Sequence, residues 1–288
     1  MNDLKATFHK YQALGNDMIV IDPAHFTTPL DPSIIQLLCD RHFGIGADGI
    51  CFGPLQNADL PHEMRFFNPD GTEAQKSGNG MRVFARYLWD AAYVSEHEFP
   101  LSIHGEISQA KILEASAAQI ATSMGRLSFN SKDIPLVGEA REVVGEKIQI
   151  GDQGWHITAV SVGNPHCVIF TEDLAQIHTA GPHLETAIQF PERTNVQMVH
   201  VLDDHNIQIS IWERGAGHTL ASGTSACATA GAALRHGFCR SPITVFMEGG
   251  KATVTIDESW QASLAGEVMP LYRGTLLPDF LNAISTPN

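Results

Sequence analysis

Ala221-Ser222-Gly223-Thr224-Ser225 stands at the head of an alanine-rich run that reaches His236 and stops at Gly237. Alanine is the strongest helix former and glycine suits the position just past a helix end, so Ser225 to His236 reads as a helix. The same arrangement occurs earlier. Lys76-Ser77-Gly78-Asn79-Gly80 precedes Met81, Phe84, Ala85 and Leu88, whose i, i+3, i+4, i+7 spacing predicts a helix through about Ala92. Each entrance sets a hydroxyl and a glycine-containing loop at the positive end of a helix dipole, where first-turn N–H groups can hold an anion. A serine before a helix is also an ordinary N-cap, and that reading suffices for either one alone. The recurrence, once in each half, points instead to a duplicated site in which two helix ends across a cleft serve one carboxylate.

Outward from these helices the chain is mostly strand. Short alternating or apolar runs separated by turn residues cover Phe8 to Asp22, Lys111 to Thr122, Lys147 to Val162, Asn206 to Trp212 and Ile243 to Ile256. Glu248-Gly249-Gly250-Lys251 forms a hairpin turn inside the last. A third helix is expected over Asp31 to Arg41, opened by Thr28-Pro29-Leu30-Asp31-Pro32.

Composition narrows the function classes. Eighteen Lys and Arg against 32 Asp and Glu give a net charge of −14, the wrong sign for a nucleic-acid footprint or a polybasic membrane anchor. At 43% hydrophobic and 17% charged, the 288 residues suit one large or two smaller globular domains. No export core or membrane-length apolar run is visible, so a cytoplasmic location is expected. The five cysteines, Cys39, Cys51, Cys167, Cys227 and Cys239, are irregularly spaced and suit reduced thiols. Without CxxC or HExxH, no metal site is expected.

Several polar clusters lie outside the periodic pattern: Leu14-Gly15-Asn16-Asp17, Phe67-Asn68-Pro69-Asp70-Gly71, Gly163-Asn164-Pro165-His166, Arg193-Thr194-Asn195 and Trp212-Glu213-Arg214-Gly215-Ala216-Gly217. Each alone reads as a turn. Together they supply amides, a guanidinium and a carboxylate, the inventory that holds an amino acid by its carboxylate and its ammonium.

With Arg41-His42-Phe43-Gly44-Ile45-Gly46-Ala47-Asp48-Gly49, Gly78-Asn79-Gly80, Thr194-Asn195-Val196 and Ser222-Gly223-Thr224 added in order, the chain resembles the diaminopimelate epimerase family over essentially its whole length. The resemblance implies an α/β (α+β) fold of two similar domains, each a curved, mostly antiparallel sheet wrapped around a central helix. The domains would be residues 1–124 with 270–288, and 125–269. It implies cofactor-independent interconversion of LL- and meso-diaminopimelate, on the route to lysine and peptidoglycan precursors, with no cofactor and no metal. The partner would be a small-molecule amino-acid substrate, with no nucleic acid and no membrane; a homodimer stays open.

By the same resemblance Asn16, Asn68, Asn164, Asn195, Glu213 and Arg214 would hold the substrate's charged groups. The N–H groups of Gly78, Asn79, Gly223 and Thr224 would hold the reacting carboxylate. The family works with two cysteines at the helix entrances, and here those positions are Ser77 and Ser222. A thiol of pKa about 8.5 can be brought into range by a helix N-terminus, whereas a hydroxyl starts far higher and needs a neighbouring base. His166 is the expected proton partner. His218 stands where the family usually has the glutamate of Gly-Ala-Gly-Glu-Thr, and is either a second catalytic group or a turn residue with a hydrogen-bonded ring. Three explanations of the serines stay open: an engineered double Cys→Ser variant, a paralogous isomerase of another amino acid using Ser and His, or an amino-acid-binding protein without catalysis.

Overall fold

The structure, a computed structural model, describes residues 6–57, 59–74, 77–150 and 153–285. The chain divides into two compact units, the first from the described residues of Met1–Thr122 and Gly266–Asn288, the second from Ser123–Ala265. It leaves the first unit within strand Gln119–Arg126 and returns within Gln261–Glu267.

In the first unit, Thr7–Ala13 and Asn16–Ile21 form a hairpin whose turn residues, Leu14 and Gly15, have φ of 55° and 80°, the geometry of a two-residue type I′ connection. The chain then passes through helix α1 (Pro32–Cys39), capped by the Asp31 carboxylate on the N–H of Ile34. It returns as Gly49–Leu55, parallel to Asn16–Ile21. Glu63–Phe67 follows antiparallel, then the short strand Glu73–Ala74. Helix α2 (Gly78–Asp90) crosses over to Glu98–Ile103, which lies parallel to Glu63–Phe67 and pairs antiparallel with Glu106–Ile112. Met269–Thr275 covers the free edge of Thr7–Ala13.

The second unit repeats this order of pairings. Gln153–Ser161 is antiparallel to Pro165–Phe170 and helix α3 (Ile177–Glu185) follows. Asn195–Asp203 lies parallel to Pro165–Phe170, and Asn206–Glu213 antiparallel to it. Then come the short strand Gly217–Thr219, helix α4 (Gly223–Arg235), and Ile243–Met247 parallel to Asn206–Glu213 with Gly250–Ile256 antiparallel beyond it. Ser77 and Ser222 therefore occupy the same place in the repeat, each capping the crossover helix that follows a short strand.

A helix buried on nearly every face is a core element rather than a surface one. Both crossover helices fit that description: Met81, Val83, Phe84, Ala85 and Leu88 of α2, and Ala226 to Ala228, Ala230, Ala232 and Ala233 of α4, have no exposure. Each fully buried Phe or Leu contributes about 1.5–3 kcal/mol of transfer free energy. On the other face of the first sheet, Ile34, Ile35 and Leu38 of α1 join Ile19, Ile21, Ile50 and Leu281 of α5 (Pro278–Ser285) in one cluster.

Three sequence expectations are corrected. Lys111 to Thr122 is not one strand: Glu106–Ile112 ends and Gln119–Arg126 begins around a turn in which Ala117 takes φ 54° and donates to the carbonyl of Glu114. Phe8 to Asp22 is a hairpin, as is Lys147 to Val162, whose residues 151–152 lie outside the described ones. Helix α3 was not anticipated, because Gly181 and Pro182 break its local pattern. Gly181 is required by packing, since a Cβ there would come within 2.8 Å of the Trp212 ring. No helix among the described residues is long and apolar enough to cross a membrane.

Candidate active site

Ser77 has extended backbone angles and its Oγ accepts the N–H of Gly80 at 3.0 Å, an N-cap bond. A side chain at Gly80 would collide with both Ser77 Oγ and Phe66, so the entrance can close only around glycine. Lys76 lies outside the described residues. Behind the cap runs a polar chain: buried Arg82 donates to Asn79 Oδ1 and to the carbonyl of Gly78, Asn79 Nδ2 donates to Asn16 Oδ1 at 3.4 Å, and Asn16 Nδ2 to Asp48 Oδ2 at 3.0 Å. Arg41 binds Asp17 at 2.5 Å and Asp48 at 2.7 Å, and the nearly buried Lys10 binds Asp17 at 2.7 Å. Burial alone would raise the Asp17 carboxyl, but hydrogen bonds from Arg41 and Lys10 hold it at about 2. Asn16 and Asn79 thus meet at the α2 entrance. Asn68 is committed elsewhere, its Nδ2 donating to Thr72 Oγ1 at 3.0 Å across its own turn.

In the second unit Ser222, 7% exposed, caps α4 with a long 3.5 Å bond from the N–H of Ser225. Its hydroxyl lies 3.5 Å from Thr224 Oγ1, and it bears on the Glu213 carboxylate, favouring the charged form. Burial raises the Glu213 pKa above the usual carboxylate value, with the Ser222 hydroxyl opposing. A hydroxyl, a carboxyl of elevated basicity and the first-turn N–H groups of Gly223 and Thr224, which helix geometry leaves without intrahelical partners, are therefore gathered at one helix end.

The loop after Glu213 is held by groups that the sequence reading missed. Glu185, the last residue of α3 and 5% exposed, accepts Trp212 Nε1 on one oxygen at 2.8 Å and the N–H of Gly215 on the other at 2.9 Å. Asn195 Oδ1 accepts the N–H of Arg214 at 2.9 Å, while its Nδ2 donates to the Pro165 carbonyl at 2.8 Å. Both polar ends of Asn195 are thus engaged by backbone, which makes it a brace for the loop. The exposed Arg214 guanidinium reaches the Glu192 carbonyl at 3.1 Å.

The two histidines differ in their surroundings. His166 is fully buried, with Nε2 3.0 Å from Asn164 Oδ1 and Nδ1 3.0 Å from Gln197 Nε2. Burial, with the Arg214 charge adding to it, lowers its pKa to about 3. Neither ring nitrogen bonds to Ser77 or Ser222; their partners are Asn164 and Gln197. His218 turns its Nε2 to Glu248 Oε1 at 2.9 Å and packs on the His178 ring, with 4.6 Å between centroids.

The cysteines offer no replacement for the serines. All five are buried without a disulfide. Cys51 lies by the α2 entrance, its thiol donating to the Gly80 carbonyl, but full burial pushes its pKa far up. Burial likewise raises Cys39 to about 11 and pushes up Cys167 and Cys239.

A family model for diaminopimelate epimerase matches residues 8–130 and 158–269. The chain is 46% identical over 271 residues to diaminopimelate epimerase 2 of Nostoc sp., covering 93% of this chain and 95% of that one. It is 37% identical over 274 residues to the diaminopimelate epimerase of Pelotomaculum thermopropionicum, covering 93% and 97%. Among solved structures, a hydroxyproline epimerase from Agrobacterium vitis, with trans-4-OH-L-proline bound, superposes with a TM-score of 0.68 at 10% identity over 94% of this chain and 90% of that one. A Bacillus anthracis phenazine biosynthesis protein superposes with 0.67 at 15% identity over 94% and 99%. At such identities the structural likeness speaks for the fold.

Proposed function

The chain belongs to the diaminopimelate epimerase family, a family of isomerases, and from that membership we propose that it is a cofactor-independent amino-acid epimerase acting on diaminopimelate through serine hydroxyls. What supports the proposal is the α4 entrance, where Ser222 caps the helix and its hydroxyl bears on the Glu213 carboxyl, itself raised by burial. A serine hydroxyl is a poor base by itself, and a carboxylate made more basic by burial is the kind of neighbour that can draw off its proton.

The step balances as follows. Ser222 Oγ takes the α-proton while its own proton passes to the Glu213 carboxylate; the electron pair left on the α-carbon spreads into the substrate carboxylate. The N–H groups of Gly223 and Thr224 meet that charge with fixed dipoles. Arg214 pairs with a substrate carboxylate, a charge-assisted contact suited to its planar fork. Ser77, at the matching position of the repeat, is the second hydroxyl, with the N–H groups of Gly78 and Asn79 in the corresponding role.

The test is incubation with LL- and with meso-diaminopimelate in deuterated water, followed by proton NMR and mass spectrometry. Incorporation of deuterium at the α-carbon with formation of the other isomer supports the proposal. Binding by calorimetry without exchange would make the protein an amino-acid binder, and exchange on a different amino acid alone would make it a paralogous isomerase.

A further inference from the structure

We propose that Gln197 is a positioning residue whose side-chain amide holds His166 as the neutral Nε2–H tautomer and joins that ring, through Ser225, to the cap of α4. The inference deepens the epimerase reading and rests on it for its meaning in catalysis, though its test does not.

His166, Gln197 and Ser225 have no exposure. Gln197 Nε2 lies 3.0 Å from His166 Nδ1 and 3.0 Å from Ser225 Oγ, and the N–H of Ser225 points to Ser222 Oγ. An amide nitrogen has two hydrogens to donate and no lone pair to offer. Both hydrogens are therefore committed, one to the imidazole and one to the hydroxyl, and Nδ1 must present its bare lone pair. The ring proton then sits on Nε2, where Asn164 Oδ1 accepts it at 3.0 Å.

Gln197 Oε1 carries the cost of this orientation. It is buried and finds no hydrogen-bond partner among the described residues. A buried orphan acceptor calls for a cause. Turning the amide over would give Oε1 the Ser225 hydroxyl, but would suit only a ring with its proton on Nδ1 and would oblige Asn164 to turn as well. The two donor contacts thus decide which way the amide faces. A hydrogen bond from Gln197 would favour the charged ring only if the amide oxygen faced Nδ1; with the nitrogen there, a proton added at Nδ1 meets an N–H donor in a buried place beside the charge of Arg214. Only a primary amide can donate to an imidazole and a hydroxyl at once from this position; glutamate or methionine cannot. Kept in this form, His166 braces Asn164 and the α4 cap, and Glu213 remains the proton acceptor for Ser222.

Long-range proton–nitrogen correlation NMR of the full chain, with its histidine rings labelled by 15N and His166 assigned by its loss in His166→Gln, tests this between pH 5 and 9. The expected spectrum shows a protonated Nε2 and a bare Nδ1 that do not titrate. Gln197→Glu, which places a carboxylate beside Nδ1, should bring a proton onto that nitrogen, and Gln197→Met should remove the donor without adding charge. An Nδ1–H ring in the unaltered protein would overturn the proposal, as would identical His166 signals in all three proteins. If a variant does not fold, the spectrum of the unaltered protein still decides. Exchange of diaminopimelate measured on the same samples separates the two readings: absent exchange with the Nε2–H ring sinks the epimerase and leaves the tautomer, whereas exchange with an Nδ1–H ring does the reverse.

Discussion

Glu185 Oε1 accepts the backbone N–H of Gly215 at 2.9 Å, linking the last residue of α3 to a loop 30 positions further on. Its other oxygen takes the Trp212 indole, and Arg193 lies 3.3 Å away. One carboxylate thereby fixes the loop on both sides of Glu213 and Arg214. In Glu185→Gln, one oxygen becomes an NH2 group facing a donor, and a buried donor left unpaired costs about 1–3 kcal/mol. Thermal unfolding should show that loss together with weaker amino-acid binding. An unchanged melting temperature would mean that this carboxylate does not hold the loop.

Arg214→Ala should weaken diaminopimelate binding by at least about 1.4 kcal/mol, tenfold, because a charge-assisted contact is removed while the loop keeps its Asn195 and Glu185 anchors. Calorimetry on the folded variant reads this directly. Equal affinity would remove Arg214 from the recognition set.

Asp17 governs acid stability in the first unit. Its folded pKa of about 2 lies below the usual value of about 3.9, so its contribution is present in full above the latter and is lost as pH falls through the former. The difference in unfolding free energy from urea titrations between the unaltered protein and Asp17→Asn should be constant above about pH 5, on the order of 2 kcal/mol, and should shrink below about pH 4. A gap independent of pH would assign the effect to packing.

Glu213 behaves in the opposite sense. A carboxyl raised by burial contributes stability at low pH that is lost as pH rises through its folded value. Glu213→Gln should gain on the unaltered protein as pH increases, while losing about 10²–10⁴-fold in α-proton exchange if the carboxylate is the proton acceptor. Exchange that survives the substitution would transfer that role elsewhere.

The helices and the strand-rich architecture were legible because their signals are local. Ser77 and Ser222 announce α2 and α4 through caps and spacing, and Asp31-Pro32 opens α1. What escaped depends on distant partners. Gly181-Pro182 argues against a helix until Trp212 is packed on Gly181, and nothing near Glu185 marks it as the anchor of residue 215. For the candidate site, sequence order grouped the polar residues into segments but could not assign their partners. Nothing local ties the two polar ends of Asn195 to Pro165 and Arg214, or the ring of His166 to Asn164 and Gln197.

The serines themselves provide the last prediction. If the two-thiol chemistry of the family is the ancestral use of this pocket, Ser77→Cys with Ser222→Cys should raise diaminopimelate epimerisation by several orders of magnitude, since a thiol of pKa about 8.5 at a helix N-terminus ionises near neutral pH where a hydroxyl does not. Either substitution alone should do much less, because inversion needs a base on one face of the α-carbon and an acid on the other. If the hydroxyls carry their own chemistry through Glu213, the double variant should gain nothing on diaminopimelate, and Glu213→Gln should abolish the exchange that the unaltered protein shows. The N-cap bonds favour neither outcome, since sulfur can also accept from Gly80 and Ser225, so folding should survive the change. Measured side by side, the double variant, the two single variants and Glu213→Gln give rates that move in opposite directions under the two accounts.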